Sequence, residues 1–201
     1  MTYLSTKIHY IKPVDILWIT LWITLWITCG QVALASDTLY EKYNAGDDDT
    51  DCFWSTTYGS QSFTAESTHK ISAVKVKVWK SGSPTGNFDA ILYLENGSDL
   101  PTGNVLTTGS IDIATITETA NPGGWYAIAV AEYEITNGIK YVWVFKMASG
   151  GASNACIAYR GDYSSSSYAG GKQGHYAGSW AVWSPSDNVF ENWYTEPIEE
   201  E

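Results

Sequence analysis

The chain has 201 residues, of which 44% are hydrophobic and 16% are charged, a composition that supports a packed core and argues against disorder. Its net charge of −11 disfavours nucleic acid and anionic membrane surfaces as partners, because both repel a strongly acidic protein. Ten tryptophans and fourteen tyrosines suit either a β-sheet core or an exposed platform for sugars or a protein partner.

Residues 1–35 have the three parts of a secretory signal peptide, which we expect to be helical. Lys7 and Lys12 supply a basic start, an apolar run follows at 16–28, and Ala-Leu-Ala at 33–35 forms a small-residue cleavage site. An uncleaved membrane anchor is the alternative, because the uncharged run is long enough to span a bilayer. The chain is therefore predicted to be extracellular, secreted or surface-associated, with membrane contact only through an uncleaved segment.

The two cysteines outside this segment, Cys52 and Cys156, are predicted to form a disulfide bond. Two cysteines in an exported protein usually pair. The bond would close a long loop, worth ~4.7 kcal/mol in the chain-entropy description. Two unrelated buried thiols are the alternative.

Residues 36–58 are polar and acidic, and we expect them to form an irregular N-terminal arm. Asp47, Asp49 and Asp51 are spaced i, i+2, i+4, as at the start of a calcium-binding loop. The match ends at the sixth position, where Cys52 replaces glycine, so an EF-hand is excluded. Bound Ca²⁺ with help from backbone carbonyls and a solvated acidic turn are the two interpretations, and no other cofactor is indicated. The arm could also add to the sheet edge of a neighbouring molecule.

From residue 59 onward, short runs of strand-like residues alternate with turn sequences. The clearest example is in 70–95, where Val74, Val76 and Val78 alternate with polar or amphipathic residues, a period of two that is typical of a strand with one buried face. The Ser-Gly-Ser-Pro-Thr-Gly turn that follows reverses the chain, because proline restricts φ and glycine permits positive φ. Strands are predicted at 60–64, as a pair within 70–95, and at 105–106, 111–116, 125–130, 140–147, 156–159, 179–183 and 188–194.

Two of these strands carry an additional expectation about burial. The strand at 140–147 has three aromatic residues alternating with two valines, so it is either buried on both faces or presents an aromatic stripe outward. The apolar run at 125–130 is expected to lie deep in a sheet.

About nine short strands, without a convincing helix after the signal peptide, predict an all-β domain over residues 59–195. The expected architecture is an antiparallel β-sandwich of jelly-roll type. An immunoglobulin fold fits less well, because the Cys…Trp…Cys spacing is missing, and a closed barrel is the other alternative. Residues 196–201 form an acidic tail.

An ordered series of short motifs runs through residues 40–194. It comprises 43–48 (YNAGDD), 61–64 (QSFT), 71–86 with its KSGSPTG turn, 100–103 (LPTG), 124–125 (GW), 138–141 (GIKY), 168–171 (YAGG), 178–180 (GSW) and Asp187 with Phe190. In this order the motifs resemble a group of uncharacterised secreted jelly-roll-like β-sandwich modules from surface proteins of bacteria, archaea and their viruses. The resemblance implies an extracellular module and supplies no catalytic residues.

No residue pattern in the chain predicts catalysis. His69 and His175 have no metal-ligand spacing, and the sequence contains neither a nucleophile elbow nor a phosphate-binding glycine loop. Glu132 and Glu134 would share one strand face, but surface acids on a strand are more often solvated than paired for glycoside hydrolysis. The chain is therefore expected not to be an enzyme.

Three non-catalytic functions remain. The first is a surface or assembly module, structural or adhesive, that packs with copies of itself or with a cell-envelope protein; Lys75 and Lys77 would form half of such an interface if they met the acidic 47–51 segment of another copy. The second is a carbohydrate-binding module that stacks glycans on exposed aromatic rings. The third is a decoration domain of a virion or appendage. The candidate glycan or partner contacts are Trp79, Tyr93, Trp180, Trp183, Trp193 and Tyr194.

Overall fold

The computed structural model describes residues 36–147 and 155–196. The predicted signal peptide at 1–35, and residues 197–201 of the predicted acidic tail, lie outside the described residues. The strands are β1 Asp37–Tyr43, β2 Asp49–Phe53, β3 Tyr58–Thr64, β4 His69–Ser81, β5 Asn87–Glu95, β6 Pro101–Asp112, β7 Gly124–Ile135, β8 Lys140–Met147, β9 Cys156–Asp162, β10 Gln173–Tyr176, β11 Trp180–Trp183, β12 Asp187–Asn188 and β13 Phe190–Thr195, with one 3-10 helix at Ile113–Thr115. Across this part of the chain, no helix is long and apolar enough to cross a membrane.

The strands form one antiparallel sheet that curls on itself. Neighbouring strands follow the order β1-β13-β4-β7-β6-β5-β8-β3-β10-β11, and β9 pairs with β2, β4 and β12 beside this path. The prediction of an all-β antiparallel fold is confirmed. The number of strands is thirteen in the described residues, where about nine were predicted, because several short polar strands lack the apolar alternation that reveals a strand in a sequence.

The prediction of an irregular arm at 36–58 is wrong, because this segment contains β1 and β2. Strand β1 pairs with β13 and strand β2 pairs with β9 of the same chain. Tyr43 and Phe53 are the apolar side chains that these two strands contribute to the core. With so few apolar positions, the strands are held mainly by the backbone hydrogen bonds of their partners, which a hydrophobic pattern does not report.

The core lies where opposite halves of the curled sheet face each other. The inward valines of β4, at 74, 76 and 78, and the inward aromatic residues of β8, at 141, 143 and 145, belong to one buried cluster. Across this cluster, the indole N–H of Trp143 donates a hydrogen bond to the amide oxygen of Asn192 on β13, at 2.8 Å. The two strands with the clearest apolar patterns therefore supply the two sides of the core.

Strands β8 and β7 differ in burial, although both are apolar in sequence. Strand β8 is buried on both faces, as one of the two alternatives predicted, since Val142 and Val144 on its outer face are also buried. The prediction that 125–130 lies deep in a sheet is wrong. In β7 the buried residues are Ile128 and Ile135, whereas Trp125 is 40% exposed. The outer face of β7 meets solvent because none of the described strands packs over it.

The predicted disulfide bond is confirmed. Cys52 of β2 is bonded to Cys156 of β9, with the two Cα atoms 5.8 Å apart. Strand β9 also pairs with β4, the strand that contributes three core valines. The disulfide therefore fastens the polar strand β2 to the centre of the fold.

Candidate functional site

The outer face of strands β3, β5, β8, β10 and β11 carries a groove of about 310 Å³. Successive side chains on a strand point to opposite faces, so the residues that line the groove alternate with core residues of the same strands. The lining consists of Tyr58, Ile91, Tyr93, Pro101, Thr102, Gly103, Val144, Lys146, Tyr176 and Trp180.

The floor of the groove is apolar and separate from the main core. Ile91 of β5 and Val144 of β8 are register partners, and they are only 9% and 4% exposed. Together with Val142 they form a second hydrophobic cluster, against which Tyr93 and Trp180 pack. A ligand that lies on this floor would contact aliphatic side chains that are already largely shielded from water.

One wall of the groove is a row of aromatic rings. Tyr58 of β3 and Tyr176 of β10 are stacked, with centroids 5.1 Å apart and planes within 9°. The ring of Trp180 on β11 follows at 5.4 Å from Tyr176, tilted by 59°. At the other end of the row, the ammonium of Lys146 lies 5.8 Å from the centroid of the Tyr58 ring. All four side chains are partly exposed, so the row is accessible to a ligand.

The opposite wall is formed by the start of β6, at residues 101–103. The short loop that joins β5 to β6 precedes it, and Asp99 in this loop anchors the loop to the sheet. This residue has a positive φ of 62°, and its carboxylate accepts hydrogen bonds from the Ser62 hydroxyl and the Lys140 ammonium, both at 2.8 Å. Burial raises the pKa of Asp99, but the hydrogen bonds from Lys140 and Ser62 outweigh it and keep the pKa below its ordinary value. Asp99 is therefore charged at neutral pH, and this charge keeps the wall in place.

Beneath the groove, the inner face of β3 rests on a buried polar network. The side-chain amide of Gln61 donates a hydrogen bond to Asp187 at 2.7 Å, and its carbonyl accepts one from the backbone N–H of Asn188 at 2.7 Å. The Ser166 hydroxyl donates to the other oxygen of Asp187. Burial raises the pKa of Asp187 to about 6, although the hydrogen bonds from Ser166 and Gln61 act in the opposite direction.

The six aromatic residues predicted to contact a glycan or partner do not form one site. Tyr93 and Trp180 line the groove. Trp183 lies on the opposite face of β11, where its ring stacks on that of His175 with centroids 4.6 Å apart. The other three, Trp79, Trp193 and Tyr194, lie on β4 and β13 in the other half of the sheet. Alternation along β11 explains the separation, because residues 180 and 183 are an odd number of positions apart.

Three important groove residues, Tyr58, Tyr176 and Lys146, were not predicted as contacts. Tyr58 lies at the end of the segment expected to be irregular, and Tyr176 lies in no predicted strand. One sequence feature could have indicated the groove: the strand at 140–147 is apolar on both faces. The valines on its second face must also be covered by other side chains, separately from the core aromatics. In this fold part of that cover is the aromatic row.

Asp47, the first of the three predicted calcium ligands, is engaged by two cations of its own chain. Its carboxylate pairs with the Lys77 ammonium and the Arg160 guanidinium. Lys75 instead lies over the ring of Trp193, 3.7 Å from its centroid. Lys77, which would form half of an interface if it met the acidic segment of another copy, therefore pairs with Asp47 of its own chain. The adjacency of β4 and β9 brings Arg160 to the same carboxylate.

Asp49 and Asp51 do not join Asp47 in a common cluster. Asp49 accepts a hydrogen bond from the backbone N–H of Thr50, and Asp51 lies 2.9 Å from Nδ1 of His175. Within residues 36–147 and 155–196, no group of three or more His, Cys, Asp or Glu side chains is arranged to hold a metal ion. The expected calcium site gains no support from the arrangement of these carboxylates.

No protein-family model matches the chain, and no curated protein matches it. The resemblance to secreted surface modules stays a prediction from the sequence motifs. The aromatic groove, with its apolar floor and pinned wall, is the feature of the described residues that points most directly to a function.

Proposed function

We propose that the chain is a non-catalytic extracellular module that binds glycans in the aromatic groove. The observation that carries the proposal is the row of Tyr58, Tyr176 and Trp180 beside the floor of Ile91 and Val144. A pyranose ring has an apolar face of C–H groups and a rim of hydroxyls. Such a ring packs against aromatic side chains, because a free ring face attracts the weakly positive C–H groups and the edges of the stacked pair Tyr58 and Tyr176 add apolar contact.

The chemistry of the remaining lining residues fits the same ligand class. The hydroxyls of Tyr93 and Thr102 supply hydrogen-bond donors and acceptors to the rim of a sugar. Small-molecule sites combine an apolar lining with a few polar groups that set orientation, in pockets of about 300 Å³ and more. The groove fits this description at the small end, which suits one or two sugar units.

The fold and the compartment belong to the proposal as well. The curled sheet brings β4 and β8 together over one core, which supports a β-sandwich of jelly-roll type. The Cys52–Cys156 disulfide supports an oxidising compartment, in agreement with the signal-peptide pattern at 1–35. An exported sandwich with an open aromatic groove is suited to binding polysaccharide outside the cell.

The test compares two tryptophans on one short strand. Trp180→Ala removes a ring from the groove, whereas Trp183→Ala removes a ring from the opposite face of β11. The full chain and both variants are applied to a glycan array and to insoluble polysaccharides, and thermal melts show that each variant is folded. We expect retention by the wild type and by Trp183→Ala, and loss of retention in Trp180→Ala. Absence of wild-type retention on every glycan contradicts the proposal.

A second candidate, self-assembly through a sheet edge, is favoured by a separate observation. Strand β11 lies at the end of the strand order, where it pairs with β10, and its last residue, Trp183, is 40% exposed. An exposed strand edge is a template for pairing with a second chain. Light scattering over a concentration series tests this function: particles larger than one chain support it, and a strict monomer contradicts it.

A further inference from the structure

Building on the proposed function, we infer that the glycan is acidic and that its carboxylate is bound by Lys146. Among the residues that line the groove, Lys146 is the one with a charge. The chain as a whole has a net charge of −11, so a cation at the binding surface is unusual for this protein. Complementarity of charge selects a ligand that has a negative group beside an apolar ring face.

The ammonium of Lys146 is available to a ligand. It forms no salt bridge with any carboxylate of the described part of the chain. The nearest candidate by register is Asp89 on β5, whose carboxylate accepts a hydrogen bond from the Ser110 hydroxyl at 2.8 Å. Asp89 is not part of the groove lining. The positive charge in the groove therefore has no salt-bridge partner among residues 36–147 and 155–196.

The position of Lys146 suits a uronic acid in particular. Its ammonium lies 5.8 Å from the centroid of the Tyr58 ring, at one end of the aromatic row. A uronic acid carries its carboxylate on the rim of the pyranose ring, so a ring seated on the floor of Ile91 and Val144, beside Tyr58, would extend that group toward the ammonium. A hydrogen bond between an ammonium and a carboxylate is stronger than one between neutral groups, and the aromatic surroundings reduce its exposure to water.

Because the rest of the protein is acidic, an anionic glycan would need the contact with Lys146 in order to bind. A polyanionic glycan is repelled at long range by a protein of this net charge, so binding would depend on the local cation. The attraction to Lys146 would also be screened by salt, because the Debye length shortens to about 3 Å at 1 M ionic strength. Because salt also screens the long-range repulsion, the two effects oppose each other, and comparison of Lys146 variants at one ionic strength isolates the local contact.

The test uses a short oligogalacturonate and the same oligosaccharide with its carboxyls converted to methyl esters. Binding to the full chain is measured by calorimetry for the wild type, Lys146→Gln and Lys146→Arg. Lys75→Gln serves as the matched control, because Lys75 also lies over an aromatic ring, that of Trp193, but outside the groove. We expect the wild type to prefer the acidic form about tenfold, and Lys146→Gln to lose this preference while Lys146→Arg and Lys75→Gln keep it.

The other outcomes separate this inference from the proposed function. Equal binding of the acidic and esterified forms overturns the inference and leaves glycan binding intact. A preference for the acidic form that persists in Lys146→Gln also overturns it, because the anion then binds elsewhere. Absence of binding to both forms overturns the inference for this ligand class, and the glycan array decides separately whether the groove binds any sugar.

Discussion

The ring of Tyr58 on β3 lies parallel to the ring of Tyr176 on β10, with centroids 5.1 Å apart and planes within 9°. The two residues are register partners in an antiparallel pair of strands, which places their side chains on the same face of the sheet. The stacked pair forms the middle of the aromatic row, so its integrity should determine how well the groove holds a sugar.

Replacement of Tyr176 by alanine should weaken glycan binding without unfolding the chain. The loss of one stacked ring is worth ~1 kcal/mol, which corresponds to about a fivefold weaker affinity. Tyr176→Phe is the matched control, because it keeps the ring and removes only the hydroxyl. Affinity electrophoresis in a polysaccharide gel measures both variants. Unchanged mobility of Tyr176→Ala relative to the wild type would show that this ring does not contact the glycan.

Removal of the disulfide should lower stability substantially. Cys52→Ala combined with Cys156→Ala releases β2 from β9 and enlarges the conformational freedom of the unfolded chain, at a cost of about 2–5 kcal/mol. Urea denaturation of the wild type and the double variant measures the difference. Dithiothreitol should destabilise the wild type and leave the double variant unaffected. A double variant as stable as the oxidised wild type would contradict the structural role of the bond.

The buried carboxyl of Asp187 should make stability depend on pH. Burial raises its pKa to about 6, against an ordinary value of 3.8, so the folded chain binds this proton more tightly than the unfolded chain does. The contribution of Asp187 to the free energy of unfolding is therefore fully present below about pH 4, declines as the pH rises, and is lost above about pH 6.

Asp187→Asn keeps the shape of the side chain and removes this titration. The stability of the wild type relative to Asp187→Asn should therefore increase as the pH falls from 7 toward 4. Chemical denaturation of both proteins at matched pH values gives this difference directly, because the other titrating groups are common to both. Parallel stability profiles would contradict the shifted pKa of Asp187.

The ion pairs of Asp47 should stabilise the fold without calcium. Asp47→Asn leaves Lys77 and Arg160, whose side chains are 20% and 5% exposed, without their carboxylate, and should cost about 1–3 kcal/mol. Asp49→Asn is the control, since Asp49 is exposed and its carboxylate accepts a hydrogen bond from the neighbouring backbone N–H of Thr50. Thermal melts with and without EDTA measure the effect. A chelator that destabilises the wild type as much as Asp47→Asn does would indicate a bound metal instead.

Much of the large-scale order could be predicted because it depends on local alternation. The period of two in β4 and the apolar content of β8 identified the strands that build the core. Strands β1, β2 and β10 escaped prediction, because their backbones are held by partner strands while their side chains are mostly polar. For the same reason the acidic segment at 36–58 was expected to be irregular, although it contributes two paired strands, β1 and β2, to the sheet.

The sequence by itself determined the all-β class and predicted the pairing of Cys52 with Cys156, which the structure contains. Only the tertiary structure decided which aromatic residues share a surface. Local alternation already places Trp180 and Trp183 on opposite faces of β11, but the pairing of β11 with β10 decided which of the two joins the groove. Tyr58 and Tyr176 meet only because β3 and β10 pair in one particular register, and a shift of one residue would turn each strand's side chains to the other face. Register is a property of the whole sheet, so the groove could not be predicted from any one segment.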